Sequence, residues 1–211
     1  MYAGETFEIE AGGYPFRVRI EADQCMGAPW EEHDGHGVVS DWTTRDKRPG
    51  EIVLNTDRSS RRYYDVEASM KIARRDGWGL RDEHRLTLLA ELRRVTFAVR
   101  GDDGRFRLQE QCGPWKPLTK GEITAGAVRR DFEFLHGWCN DDWQWVGVVV
   151  ELLDEDGEVV DGVGDSLWGI ESEADDYLRQ TARDMAEGLA LGLQKEACER
   201  MYWNARDMVT V

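Results

Sequence analysis

Behind a Gly12-Gly13 pair, Phe16, Val18 and Ile20 alternate with polar residues. A period of two puts successive side chains on opposite faces of an extended chain, so residues 6–22 are predicted to form a β-hairpin. The period vanishes over residues 25–49, where Gly, Pro, Asp and His predominate, and an ordered loop anchored by Trp30 and Trp42 is expected there. A short strand follows at residues 51–55. The pattern then becomes helical: Val66, Met70 and Ala73 share one face, with Asp65 placed to cap the start and Gly77 to end it. Residues 84–100 carry Leu88, Leu92, Val95 and Val99 at helical spacing, yet residues 95–99 also read as a strand, and both readings stay open.

The C-terminal half is more regular. Thr119 and Glu122 have the spacing of a capping box, and Val128, Phe132, Leu135 and Cys139 follow on one helical face. Residues 143–153 are β-branched and aromatic and predict a strand, which a turn at residues 154–157 reverses into residues 158–160. Residues 165–170 offer a third strand. Ser172 and Asp175 then open a long helix expected to bury Leu178, Ala182, Met185, Leu189, Leu193 and Ala197. The predicted fold is therefore α+β, an antiparallel β-sheet packed against a few helices that include a long C-terminal one. A single domain over residues 1–211 accommodates these elements, with a natural subdivision into an N-terminal hairpin and helix region (1–110) and an α-β-β-β-α unit (111–211).

Composition agrees with a folded chain: 41% of the residues are hydrophobic, enough to offset the entropy of ordering. The longest apolar run, residues 146–150, has the length of a strand and not of a membrane span, and the first residues lack the basic and apolar regions of a secretory signal. Cys25, Cys112, Cys139 and Cys198 are far apart and form no CxxC pair, so they are expected to be buried small hydrophobes in a reducing compartment. The nine tryptophans are expected to act as core and interface anchors.

Charge changes the picture most. The net charge is −15, and residues 131–187 alone hold seventeen Asp/Glu against Arg179 and Arg183. The rest of the chain is neutral, and residues 45–107 carry sixteen Lys/Arg against eleven Asp/Glu. A negative face of this kind keeps a protein soluble. Its carboxylates also have the chemistry to imitate phosphates and to speed association with a basic groove. On that reading the partner-binding residues are Asp141, Asp142, Asp154, Glu155, Asp156, Asp161, Asp165, Asp175 and Asp176.

Three stretches carry a resemblance: residues 62–79 with Tyr63-Tyr64-Asp65-Val66 and Gly77-Trp78-Gly79, residues 138–157 with Trp138-Cys139-Asn140-Asp141-Asp142-Trp143, and residues 165–172 with Leu167-Trp168-Gly169-Ile170. From about Trp30 onward the chain resembles uncharacterised accessory proteins of tailed bacteriophages and prophages. The resemblance implies the cytoplasm of an infected bacterial host and an accessory role, and brings no catalytic motif. By analogy it suggests an inhibitor of host defence of the anti-restriction or anti-CRISPR kind.

Other chemistry is weaker. His33 and His36 sit three apart among Glu31, Glu32 and Asp34, a set that suits a divalent metal but equally a solvated loop. Asp154, Asp156 and Glu158 lack the length of a calcium loop and read as a turn. Cys139 follows His136 by one helical turn, yet it also completes the apolar stripe, which favours a core cysteine over a catalytic dyad. Arg58, Arg61, Arg62, Arg74 and Arg75, interleaved with Tyr63, Tyr64 and Trp78, suggest a nucleic-acid surface, but the acids among them disfavour it. The expectation is a non-enzymatic protein without a cofactor that binds a basic host protein away from membranes. Its rivals are a small metal-dependent enzyme using His33 and His36, and a phage assembly protein whose oppositely charged regions pair between copies.

Overall fold

The computed structural model describes residues 2–80, 94–100, 106–112 and 118–209. In chain order the elements are β1 (Thr6–Ala11), β2 (Tyr14–Ala22), α1 (Pro29–Glu32), β3 (Val38–Val39), β4 (Glu51–Asp57), β5 (Ser60–Asp65), α2 (Val66–Asp76), β6 (Arg94–Arg100), β7 (Phe106–Cys112), α3 (Lys120–Cys139), β8 (Trp145–Leu153), β9 (Val159–Glu171) and α4 (Asp175–Val209). Among the described residues all strand pairing is antiparallel, and the fold is α+β with a long C-terminal helix, as the patterning predicts. No described helix is long and apolar enough to cross a membrane.

The chain forms two compact units, one made of Met1–Gly27 with Trp143–Val211 and the other of Ala28–Asp142. The sequence suggests a division near residue 110. The first unit is instead discontinuous, because the N-terminal hairpin pairs with β8: Val18 lies opposite Val150 and Ile20 opposite Val148. A lone hairpin leaves an edge unpaired and an apolar face wet; β8 pairs the edge of β2, and the C-terminal helix α4 covers the face. The sheet runs β1-β2-β8-β9. Its inner face, with Phe16, Val18, Ile20, Val146, Val148, Val150 and Leu152, packs on Leu178, Ala182, Ala186 and Ala190 of α4. Ala197 is not in this core, whereas Ala186 and Ala190 widen the expected stripe.

Residues 158–160 and 165–170 are not two strands. Residues 159–160 and 165–170 lie in the single thirteen-residue β9, whose register against β8 slips twice and whose Gly162 and Gly169 adopt positive φ, and Glu158 stands just before it. Left-handed glycines let one strand kink without breaking, so the turn-like composition between the two apolar segments marks a bulge. Ser172, just ahead of α4, bonds back to Gln144, the residue before β8, through both its backbone and its hydroxyl.

In the second unit, β3-β5-β4 form a three-stranded sheet, and β6 pairs with β7. The strand reading of residues 95–99 therefore holds, within β6, while residues 84–93 lie outside the described residues. The strand β5 and the short β3 and α1 inside the expected loop were not legible in the apolar period. Asp65 caps α2 by accepting from the Ala68 N–H, and Gly77 ends it in the left-handed region. The Thr119–Glu122 capping box of α3 is fully formed. Leu54, Tyr64, Ala73, Val128 and Leu135 make the core, flanked by Trp30, Trp78, Phe132, Phe134 and Cys139.

Candidate functional site

Two places bring chemistry together, one in each unit. In the second unit, Asp131 projects from α3 with its side chain only 8% exposed. Its Oδ1 accepts from His36 Nδ1 at 2.7 Å, and its Oδ2 accepts from the Gly37 N–H at 2.8 Å and the Tyr64 hydroxyl at 2.6 Å. A carboxylate withdrawn from water must be matched by donors, and three short bonds do so here. Burial, reinforced by the neighbouring Asp131, pushes the Tyr64 phenol far above its usual range, so it remains a donor. The His36 ring stacks on Phe134, with centroids 5.6 Å apart and planes 8° from parallel.

The backbone permits this arrangement at Gly37. A Cβ there would lie 2.3 Å from both the Tyr64 hydroxyl and Ser69 Oγ. Ser69 in turn accepts from the Val38 N–H and donates to the Asp65 carbonyl, fastening the histidine loop to the start of α2. The ring of His36 thus faces Asp131 and not His33, which is exposed at the end of α1. No group of three or more potential metal ligands occurs among the described residues. A cavity of about 890 Å³ adjoins the pair, lined by His36, Asp131, Phe134, Arg130, Trp78 and neighbouring residues. Asp131 is the member of this cluster that the sequence hides: it stands 95 positions from His36, directly after Arg129 and Arg130.

In the first unit, the acidic residues do not form one cluster. Asp154, Glu155 and Asp156 occupy the β8–β9 turn, while Asp175 and Asp176 begin α4 beyond the other end of β9. Nine residues of β8 separate those ends by roughly 30 Å at the usual strand rise. Several carboxylates have structural tasks. Asp154 Oδ1 accepts from the Asp156 and Glu158 N–H groups, which accounts for the calcium-like spacing as a turn. Asp175 and Asp176 sit where the helix dipole favours negative charge. Glu151 is paired with Arg19 at 3.1 Å. Asp141 and Asp142 belong to the second unit, just past the C-terminus of α3, where the dipole disfavours them.

What remains is a rim. Asp156, Asp161 and Asp165 are exposed, and Asp165 borders a groove of about 630 Å³ between β9 and α4. The groove is apolar at Val163, Met185, Leu189 and Leu193 and acidic at Asp165, Asp184 and Glu196. Gly188 and Gly192 lie along it on α4, and a Cβ on either would meet nothing. Asp184, Gly188, Gly192 and Glu196 recur every four residues, so this stripe was readable in the sequence.

The basic and aromatic segment is used internally in part, while Arg58, Arg61 and Arg74 are exposed. Tyr63 and Tyr64 are buried and offer no ring face to a base, and Arg62 lies between Trp30 and Trp42 at 5.0 and 4.7 Å from their centroids. Arg75 pairs with Asp76. Burial pushes the Cys139 thiol up to about 11, while His136 is bonded to Asn140, so the two form no dyad. Cys25 and Cys198 are exposed, contrary to the expectation of buried thiols. Trp143 and Trp145 are buried, whereas Trp42, Trp168 and Trp203 are exposed.

The chain matches no protein-family model, no curated protein and no solved structure.

Proposed function

We propose that the protein is a non-enzymatic binding protein whose first unit receives a basic, partly apolar segment of a partner in the groove between β9 and α4. The observation that carries this reading is the pair of glycines on α4. A glycine inside a helix costs about 1 kcal/mol relative to alanine. At Gly188 and Gly192 no contact within the chain requires the missing Cβ. Two such costs beside an exposed edge strand are explained by the close approach of another backbone. The carboxylates of Asp165, Asp184 and Glu196 select a partner rich in Lys and Arg, and the −11 charge of residues 143–187 in the same unit (thirteen Asp/Glu against Arg179 and Arg183) would accelerate its arrival. In keeping with the phage resemblance, the proposed partner is a bacterial protein that handles nucleic acid and whose basic surface the groove would occupy.

The test compares three proteins for binding to a fluorescent arginine-rich amphipathic peptide, by anisotropy at low and high salt. The wild type is expected to bind in a salt-sensitive way. Asp161→Lys with Asp165→Lys should weaken binding at least tenfold at low salt, and Asp154 is left intact because it closes the turn. Gly188→Ala with Gly192→Ala should raise helix stability by about 0.5–1 kcal/mol per site yet weaken binding. Undiminished binding by both variants would sink the groove as the binding site.

A further inference from the structure

The histidine–aspartate pocket lies in the other unit and does not depend on the reading above. Asp131 orients His36 through Nδ1, and no described residue bonds to Nε2. With Nδ1–H donated to a carboxylate, the neutral ring presents Nε2 as an acceptor. The support is rigid: Asp131 is itself held by the Gly37 N–H and the Tyr64 hydroxyl, and His36 is stacked on Phe134. A buried carboxylate is seldom worth its desolvation for stability alone, since apolar residues of similar volume do as well. Preorganising one acceptor beside a cavity of about 890 Å³ is a use that does require it.

The lining limits what can enter. With Asp76 balanced by its ion pair to Arg75, Asp34 and Asp131 still outnumber Arg130 and disfavour an anion. Trp78 and Phe134 supply apolar aromatic surface. We infer that this cavity binds a small, uncharged, planar heterocycle that donates an N–H or O–H to His36 Nε2, the chemistry of a nucleoside rather than a nucleotide.

The four ribonucleosides and their 5′-monophosphates are the probes, titrated to millimolar concentration into protein labelled with ¹³C at histidine. The chain has four histidines, so the His36 ring signal can be assigned with the His36→Gln variant. The expected result is a saturable shift of the His36 signal with at least one nucleoside, and binding of its monophosphate weaker by roughly tenfold or more. Trp78→Ala, which leaves the Asp131 network untouched, should weaken the same nucleoside. A His36 signal that no nucleoside moves overturns the inference, as does a monophosphate that binds as well as its nucleoside. Because the readout is on His36 of the unaltered protein, it stands even if Trp78→Ala folds poorly. Failure here leaves the β9–α4 groove unaffected.

Discussion

Tyr63 and Tyr64 offer a matched pair for testing whether Asp131 is a buried charged acceptor. Both side chains are fully buried in the second unit, at 1% and 0% exposure, so phenylalanine replaces each without a cavity. Tyr63 donates to the neutral Arg45 carbonyl at 2.9 Å, and its ring contact with the Arg45 guanidinium survives in phenylalanine. Tyr64 donates to the Asp131 carboxylate at 2.6 Å, the Val128 carbonyl being farther at 3.4 Å. A hydrogen bond between neutral groups contributes about 1 kcal/mol net, and one to a charged group about 1.5–3 kcal/mol. Tyr64→Phe should therefore cost about 2 kcal/mol and Tyr63→Phe about 1 kcal/mol. For a chain of this size those costs lower the melting temperature by roughly 6 and 3 °C. Urea titrations monitored by fluorescence, analysed for a midpoint shift at constant slope, measure both on the same unit, with the exposed Tyr2→Phe as a control near zero. Equal costs, or the larger cost at Tyr63, would refute the assignment of a charged acceptor at Asp131.

Three further outcomes are expected. The Arg45 guanidinium holds the Glu51 carboxyl down to about 2 from an ordinary value of 4.5. Its folded value lies below the unfolded one, so its contribution is present above about pH 4.5 and lost as pH falls toward 2. The stability gap between wild type and Glu51→Gln should shrink over that window, and a gap that stays constant would contradict the pairing. At pH 7 a thiol at about 11 is ionised in roughly one molecule in ten thousand, so a disulfide reagent followed by peptide mapping should modify Cys25 and Cys198 long before Cys139. Equal rates would show that Cys139 is not buried as described. Gly147→Ala places a Cβ 2.3 Å from the Trp168 ring, which must leave its seat on the sheet, at about 1–3 kcal/mol. An unchanged melting temperature would show that the ring does not pack there.

Local chemistry made several elements legible in advance. The alternation of Phe16, Val18 and Ile20, the Asp65 and Gly77 signals around α2 and the Thr119–Glu122 capping box each involve residues a few positions apart, so the interaction that forms the element is written in the neighbouring sequence. The stripe through Leu178, Ala182, Met185, Leu189 and Leu193 foretold the packed face of α4 for the same reason. Where period and composition conflicted, as through Gly162 in β9, the local signal suggested a break that the sheet did not make.

The amino-acid sequence by itself determined the α+β class, the main helices and hairpins, and the concentration of negative charge in residues 131–187. Tertiary structure alone decided which of those charges are available. It spent Asp131 on His36, Gly37 and Tyr64 and Glu151 on Arg19, while leaving Asp161 and Asp165 exposed. It also joined β2 to β8 across more than a hundred residues of intervening chain. The physical reason is common to both: hydrogen bonds and burial act over a few ångströms in space, and the sequence records separation only along the chain.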